Sequence, residues 1–213
     1  MGNWWEPRRQ LRSSPRMNIA VIGWGSLLWD KERGELRLRS PRWRKDGPRL
    51  PLEFARKSTD GRLTLVIHRP SALQRAYWSL SQLESIDAAR EDLATREGPT
   101  PLKNIHWATR EGRGDPADDV RRRVLEWLSE HANVDAAIWT GLPPKDLDGS
   151  DVVAAAIAYL TGLDDGTATF RKAKKYVACA PPQIQTAVRR AMQQRGWCDE
   201  DLPAATFDAS GIG

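Results

Sequence analysis

Cysteine and histidine are scarce in this chain, and their scarcity removes several chemistries at once. Cys179 and Cys198 are the only cysteines. They are too few for a disulfide framework and form no C-x-x-C pair, so buried free thiols are expected. His68, His106 and His131 show neither H-x-H nor H-x-x-x-H spacing, so no metal site is visible, and each histidine is expected in a structural or surface role. No apolar run approaches the roughly 18 residues of a membrane span, so no membrane partner is expected. The N-terminal MGNWWEPRRQLRSSPR lacks the continuous apolar core of a secretory signal, and the expected location is the cytoplasm.

An excess of positive charge is present but uneven. Of the net +5, residues 1–16 contribute +3, leaving +2 for residues 17–213. A nucleic-acid binder is therefore disfavoured. Residues 1–16 read as a flexible extension, and 17–213 as a single domain whose hydrophobic (40%) and charged (29%) fractions are those of a globular protein. The stretch from Arg37 to Lys45 holds five positive charges around Trp43; with Pro41, Gly47 and Pro48 it reads as a solvated loop.

The remaining chain alternates strand and helix signals. Asn18 to Asp30, NIAVIGWGSLLWD, reads as a buried strand opening into a binding loop. LPLEFARKS and RLTLVIH flank Thr59-Asp60-Gly61 and predict a hairpin; Glu53 and Arg56 are expected on its solvent face rather than as a cleft-facing pair. Ala72 to Leu80 predicts one strand. Ser81 and Glu84 fit a capping box, which predicts a helix from Ser81 to about Glu97, stopped by Gly98-Pro99. A short strand follows at Ile105 to Thr109. Asp115-Pro116 predicts the start of a second helix with Val120, Val124, Trp127 and Leu128 inward. Val134 to Leu142 predicts a strand, and Ser150 caps a third helix through Leu160. Thr167 to Cys179 fits either a helix or two short strands. The last helix is expected to start at the prolines of PPQIQTAVRRAMQQRG, with Ile184, Val188 and Ala191 inward.

Two features carry chemistry. In GWGSLL the small residues Gly23, Gly25 and Ser26 allow backbone N–H groups to approach an anion. A dinucleotide loop would need glycine where Leu28 stands. Ser26 as a nucleophile would need G-x-S-x-G and a histidine base. Trp24, Trp29 and Trp78 could line a cleft, although core packing is the commoner use of tryptophan. Glu97 is the second feature. Counted from Leu83 it is in phase with the inward face of its helix, where desolvation and the helix C-terminus would both raise its pKa. The alternative is a frayed end at which Glu97 pairs with Arg96 or Arg90 in water, and phase alone does not decide.

GWGSLLWD resembles the YGS(N)L or YGSLIW signature of the γ-glutamylcyclotransferase-like superfamily, especially its ChaC branch, and ATREGP (Ala94 to Pro99) resembles the segment carrying that family's Arg-Glu pair. AYWSL is similar to the strand leading into that helix. LPLEFARKSTDGRLTLVI and VDAAIWTGLPP look like poorly characterised bacterial members of the same superfamily. The likeness covers roughly Asn18 to Gly98, with Trp24 in place of the signature tyrosine. It implies an α+β domain in which a small mixed, barrel-like sheet is flanked by helices. It further implies cyclisation of a γ-glutamyl amide to 5-oxoproline without a cofactor. Glu97 would be the acid/base, and Gly23, Trp24, Gly25, Ser26 and Leu27 would bind the small-molecule substrate. A non-catalytic binding module on the same fold is the rival reading, with a nucleic-acid binder behind it.

Overall fold

The computed structural model describes residues 16–31, 34–98, 100–147, 151–163 and 167–198. The expected extension over 1–16 and the cap at Ser150 lie outside these residues, apart from Arg16.

A mixed five-stranded sheet forms the centre. It is built from β1 (Ile19–Gly23), β5 (Tyr77–Leu80), β6 (Ile105–Thr109), β7 (Gly114–Asp115) and β8 (Ala136–Thr140), in the order β5-β1-β8-β6-β7. β1 runs parallel to β8, while β5, β6 and β7 pair antiparallel with their neighbours. The period-2 geometry of a strand sends Ile19 and Val21 to one face and Ala20 and Ile22 to the other. β8 divides in the same way, with Ala136 and Ile138 against Ala137 and Trp139. Both faces are covered, which is why these strands read as continuous apolar runs.

Helix α1 (Ile86–Arg96) covers one face with Ala89, Leu93 and Ala94. The other face carries the larger core, formed with an antiparallel three-stranded sheet and four helices. That sheet is β3-β2-β4: β2 (Arg49–Lys57), β3 (Leu63–Ile67) and β4 (Leu73–Arg75). The helices are α2 (Asp119–Glu130), α3 (Val152–Thr161), α4 (Ala168–Ala178) and α5 (Ala187–Gln193). The α+β class agrees with expectation, but both sheets are open, with no barrel closure. No described helix is long and apolar enough to cross a membrane.

Several expectations are corrected. The first helix starts at Ile86 after Ser85, because the Ser81 hydroxyl instead accepts from the Leu83 amide and Ser81 bridges to Leu38. The single strand over 72–80 breaks at Ala76 and its halves join different sheets. The second helix is capped by Asp118, whose carboxylate accepts from Arg121 N, rather than by Asp115. Thr167 to Cys179 is a helix, capped by Thr167. The last helix begins at Ala187, not at the prolines, and buries Val188, Arg189 and Met192 rather than Ala191.

That late start explains Glu53, which is 1% exposed rather than solvent-facing. Its carboxylate accepts from the amides of Ala187 (2.9 Å) and Val188 (3.4 Å) at the start of α5, and from Phe54 N. A buried acid is thereby satisfied by backbone donors that the helix leaves free. Arg56 donates to Pro143 O.

Candidate functional site

β1 and β8 are parallel, and their carboxyl ends open on a common cleft, as is usual where an open sheet holds a ligand. Gly23 to Leu27 follow β1, and Thr140 and Leu142 end β8; Phe54 of β2 and Thr64, Leu65 and Val66 of β3 line the cleft as well, with Glu97 from α1 and Tyr176 from α4. The enclosed part of the cleft measures about 50 Å³, and it opens to solvent. All of the expected site residues therefore stand around one cleft: Glu97 together with Gly23, Trp24, Gly25, Ser26 and Leu27.

The loop is a single 3₁₀ turn, Ser26–Leu28. Leu28 N donates to Gly25 O, while Trp29 N and Asp30 N both donate to Ser26 O. None of these bonds uses the amides of Gly25, Ser26 and Leu27. At Gly23 an added Cβ would come within 2.9 Å of Leu28 Cδ1 and 3.0 Å of Trp43, so the turn folds back tightly over that residue. Gly25 is different: an added Cβ would meet only Leu65 Cβ, at 3.8 Å.

Trp24 is 6% exposed and belongs to the main core while also edging the cleft; its indole N–H donates to Leu65 O at 3.1 Å. The indole thus pins the loop to β3. Trp29 meets the Tyr176 ring edge-on at 4.9 Å. Trp78 is wholly buried elsewhere, donating to Asp46 Oδ1 at 2.7 Å with the Arg44 guanidinium over its ring.

Glu97 caps α1 at its C-terminus, its amide donating to Leu93 O at 3.0 Å, and it is half-buried. Gly98 follows at φ 87°, a left-handed conformation that glycine adopts without strain, and it ends the helix there. The phase counted from Leu83 is not the reason for this position, since Leu83 precedes the helix; Leu93 and Ala94 supply the inward face.

Sequence reasoning named Arg96 only within the Arg-Glu pair and as a possible partner of Glu97, and gave Tyr176 no role at the site. Arg96 is 4% exposed, and its Nη2 donates to the carbonyls of Ser26 (3.0 Å) and Asp30, which ties α1 to the start and end of the loop turn. Tyr176 accepts from Arg62 Nη1 and donates to Asp30 Oδ2, with the guanidinium 4.4 Å over its ring. Arg62 also donates to Asp60 Oδ1 at 2.7 Å. Burial works against the Arg62 charge, yet the Asp60 and Tyr176 contacts outweigh it and raise its pKa. Burial likewise opposes the Asp60 carboxylate, and the Ser58 and Arg62 hydrogen bonds hold its pKa below the ordinary value. A helical reading of Phe170, Ala173 and Val177 would have turned Tyr176 toward this side. The Arg-Glu likeness points to Arg96, but its carbonyl acceptors lie about 70 residues away and leave no local record.

Among the described residues, no group of three or more His, Cys, Asp or Glu side chains could hold a metal ion. No protein-family model, curated protein or solved structure is significantly similar to this chain.

Proposed function

We propose that the cleft is the active site of a γ-glutamylcyclotransferase-like enzyme that converts a γ-glutamyl amide into 5-oxoproline and a free amine. The observation that carries the reading is that Glu97 and residues 23–27, singled out on separate grounds, line one cleft. In this reading the domain is a variant of the family's barrel-like sheet, and the protein works in the cytoplasm on a small molecule.

The substrate brings its own nucleophile. After its α-ammonium group loses a proton to solvent, the α-nitrogen attacks the γ-carbonyl carbon. The new C–N bond closes a five-membered ring, and the bond to the departing nitrogen breaks. Glu97 takes the second proton from the α-nitrogen and delivers it to the leaving nitrogen, a transfer worth about 10²- to 10⁴-fold in rate. The amides of Gly25, Ser26 and Leu27 bind the α-carboxylate or the developing oxyanion. Holding the substrate folded supplies the entropic part, and no redox or cofactor step is involved.

The test is to incubate the purified protein with γ-glutamyl compounds and assay 5-oxoproline, with Glu97→Gln alongside. Turnover that falls about 10²-fold or more in the variant is expected. Undiminished turnover overturns the role given to Glu97. Ligand-induced stabilisation without 5-oxoproline favours the binding module instead.

A further inference from the structure

We infer that the departing portion of the substrate is apolar and carries no carboxylate, making the substrate a γ-glutamyl alkyl- or arylamine rather than a γ-glutamyl amino acid or peptide. The inference rests on the cyclotransferase reading above and concerns the walls of the cleft beyond the loop.

Those walls are Phe54, Leu65, Val66, Leu142 and Ala180, relieved by the hydroxyls of Thr64 and Thr140 and the phenol of Tyr176. No lysine, arginine or histidine occurs among the described lining residues, whereas Glu97 adds a carboxyl group. An amino acid or peptide leaving group would bring a second carboxylate into this space. The loop amides can hold one carboxylate, and the glutamyl end takes it. Two guanidinium groups bordering the cleft are turned to other partners: Arg62 donates to Tyr176 and Asp60, and Arg96 to the Ser26 and Asp30 carbonyls. Desolvating an anion against Phe54, Val66 and Leu142 without a counter-charge is strongly unfavourable, and the Glu97 carboxylate adds repulsion. An alkyl chain meets no such opposition and buries apolar surface on both sides. Recognition would thus be divided: polar and backbone-based at the glutamyl end, apolar and tolerant of shape at the amine end.

The full chain should be assayed for 5-oxoproline release from γ-glutamyl-n-butylamine, γ-glutamylalanine and glutathione, which share the same glutamyl end. We expect kcat/KM for the butylamide to exceed that for each carboxylate-bearing compound by about tenfold or more. A Thr64→Lys substitution, or Leu142→Lys if the first does not fold, should narrow that ratio by favouring γ-glutamylalanine. Equal or greater turnover of γ-glutamylalanine or glutathione by the native protein overturns the inference and leaves the cyclotransferase reading standing. A ratio unmoved by a folded lysine variant also overturns it. Absence of 5-oxoproline from all three compounds removes both.

Discussion

Arg96 Nη2 lies 3.0 Å from Ser26 O and also reaches Asp30 O, so one buried guanidinium from the last turn of α1 holds the turn that follows β1. Glu97 is the next residue. The placement of the carboxyl group and the shape of the loop are therefore coupled through a single side chain. Arg96→Leu would take the guanidinium from Asp30 O and leave Ser26 O with only the Trp29 and Asp30 amides, and should lower stability by about 1–3 kcal/mol. Urea denaturation followed by tryptophan fluorescence measures it. Arg96→Lys, with a compact ammonium in place of the planar fork, should recover only part of the loss.

The two glycines of the loop should respond differently to alanine. At Gly23 the added methyl meets Leu28 and Trp43 at about van der Waals overlap, so Gly23→Ala should cost about 1–3 kcal/mol through overpacking. Gly25→Ala has room for its Cβ, with Leu65 at 3.8 Å as its nearest neighbour, and places that methyl at the cleft. Its melting temperature should stay near that of the native protein while ligand binding at the cleft weakens. Thermal melts with and without a γ-glutamyl ligand separate the two effects.

Glu53 ties the second sheet to the last helix. Glu53→Ala leaves the amides of Ala187 and Val188 without their acceptor. A loss of about 3 kcal/mol is expected, read by chemical denaturation. Hydrogen exchange should rise first at the start of α5, the segment that loses its cap.

Acid should destabilise the fold in two stages. Burial lowers the pKa of His106, an effect only partly offset by Asp115 and Asp118, and its ring lies against Gly141, where an added Cβ would come within 2.0 Å of it. The folded state thus favours the neutral ring, so its contribution is complete above the unfolded value of about 6.5 and declines as pH falls below it. Asp46 follows at lower pH. Burial opposes its charge, but hydrogen bonds from Trp78 and its own backbone, together with His131, leave its pKa below the ordinary value. Its contribution is present above about 3.9 and is lost as pH falls through the folded value. Melting temperatures measured down through this range should show both stages, and His106→Asn should flatten the first.

Strand content was legible because burial on both faces writes itself into consecutive residues: the runs IAVI and AAIW are apolar throughout and lie in the parallel pair β1 and β8. The hairpin over β2 and β3 was legible from Asp60-Gly61, with Gly61 at φ 81°. Helix starts were not. Ser81 satisfies the pattern of a cap, yet bridging to Leu38 commits it to the sheet side. A local motif loses when a longer-range hydrogen bond uses the same residue.

The cleft shows the same division. Residues 23–27 and Glu97 could be singled out because a glycine-bearing turn after a strand and a glutamate at a helix end are local patterns, each readable within a few residues. Their presence on one cleft, the Arg96 clamp between them and the entry of Tyr176 from α4 were settled by tertiary structure alone. So was the burial of Glu53, whose Oε2 meets an amide 134 positions away. Periodicity and turn chemistry act between neighbours and are written in the order of residues. Which buried donor finds which acceptor depends on how the two sheets and the helices pack, and a run of sequence contains no local record of that.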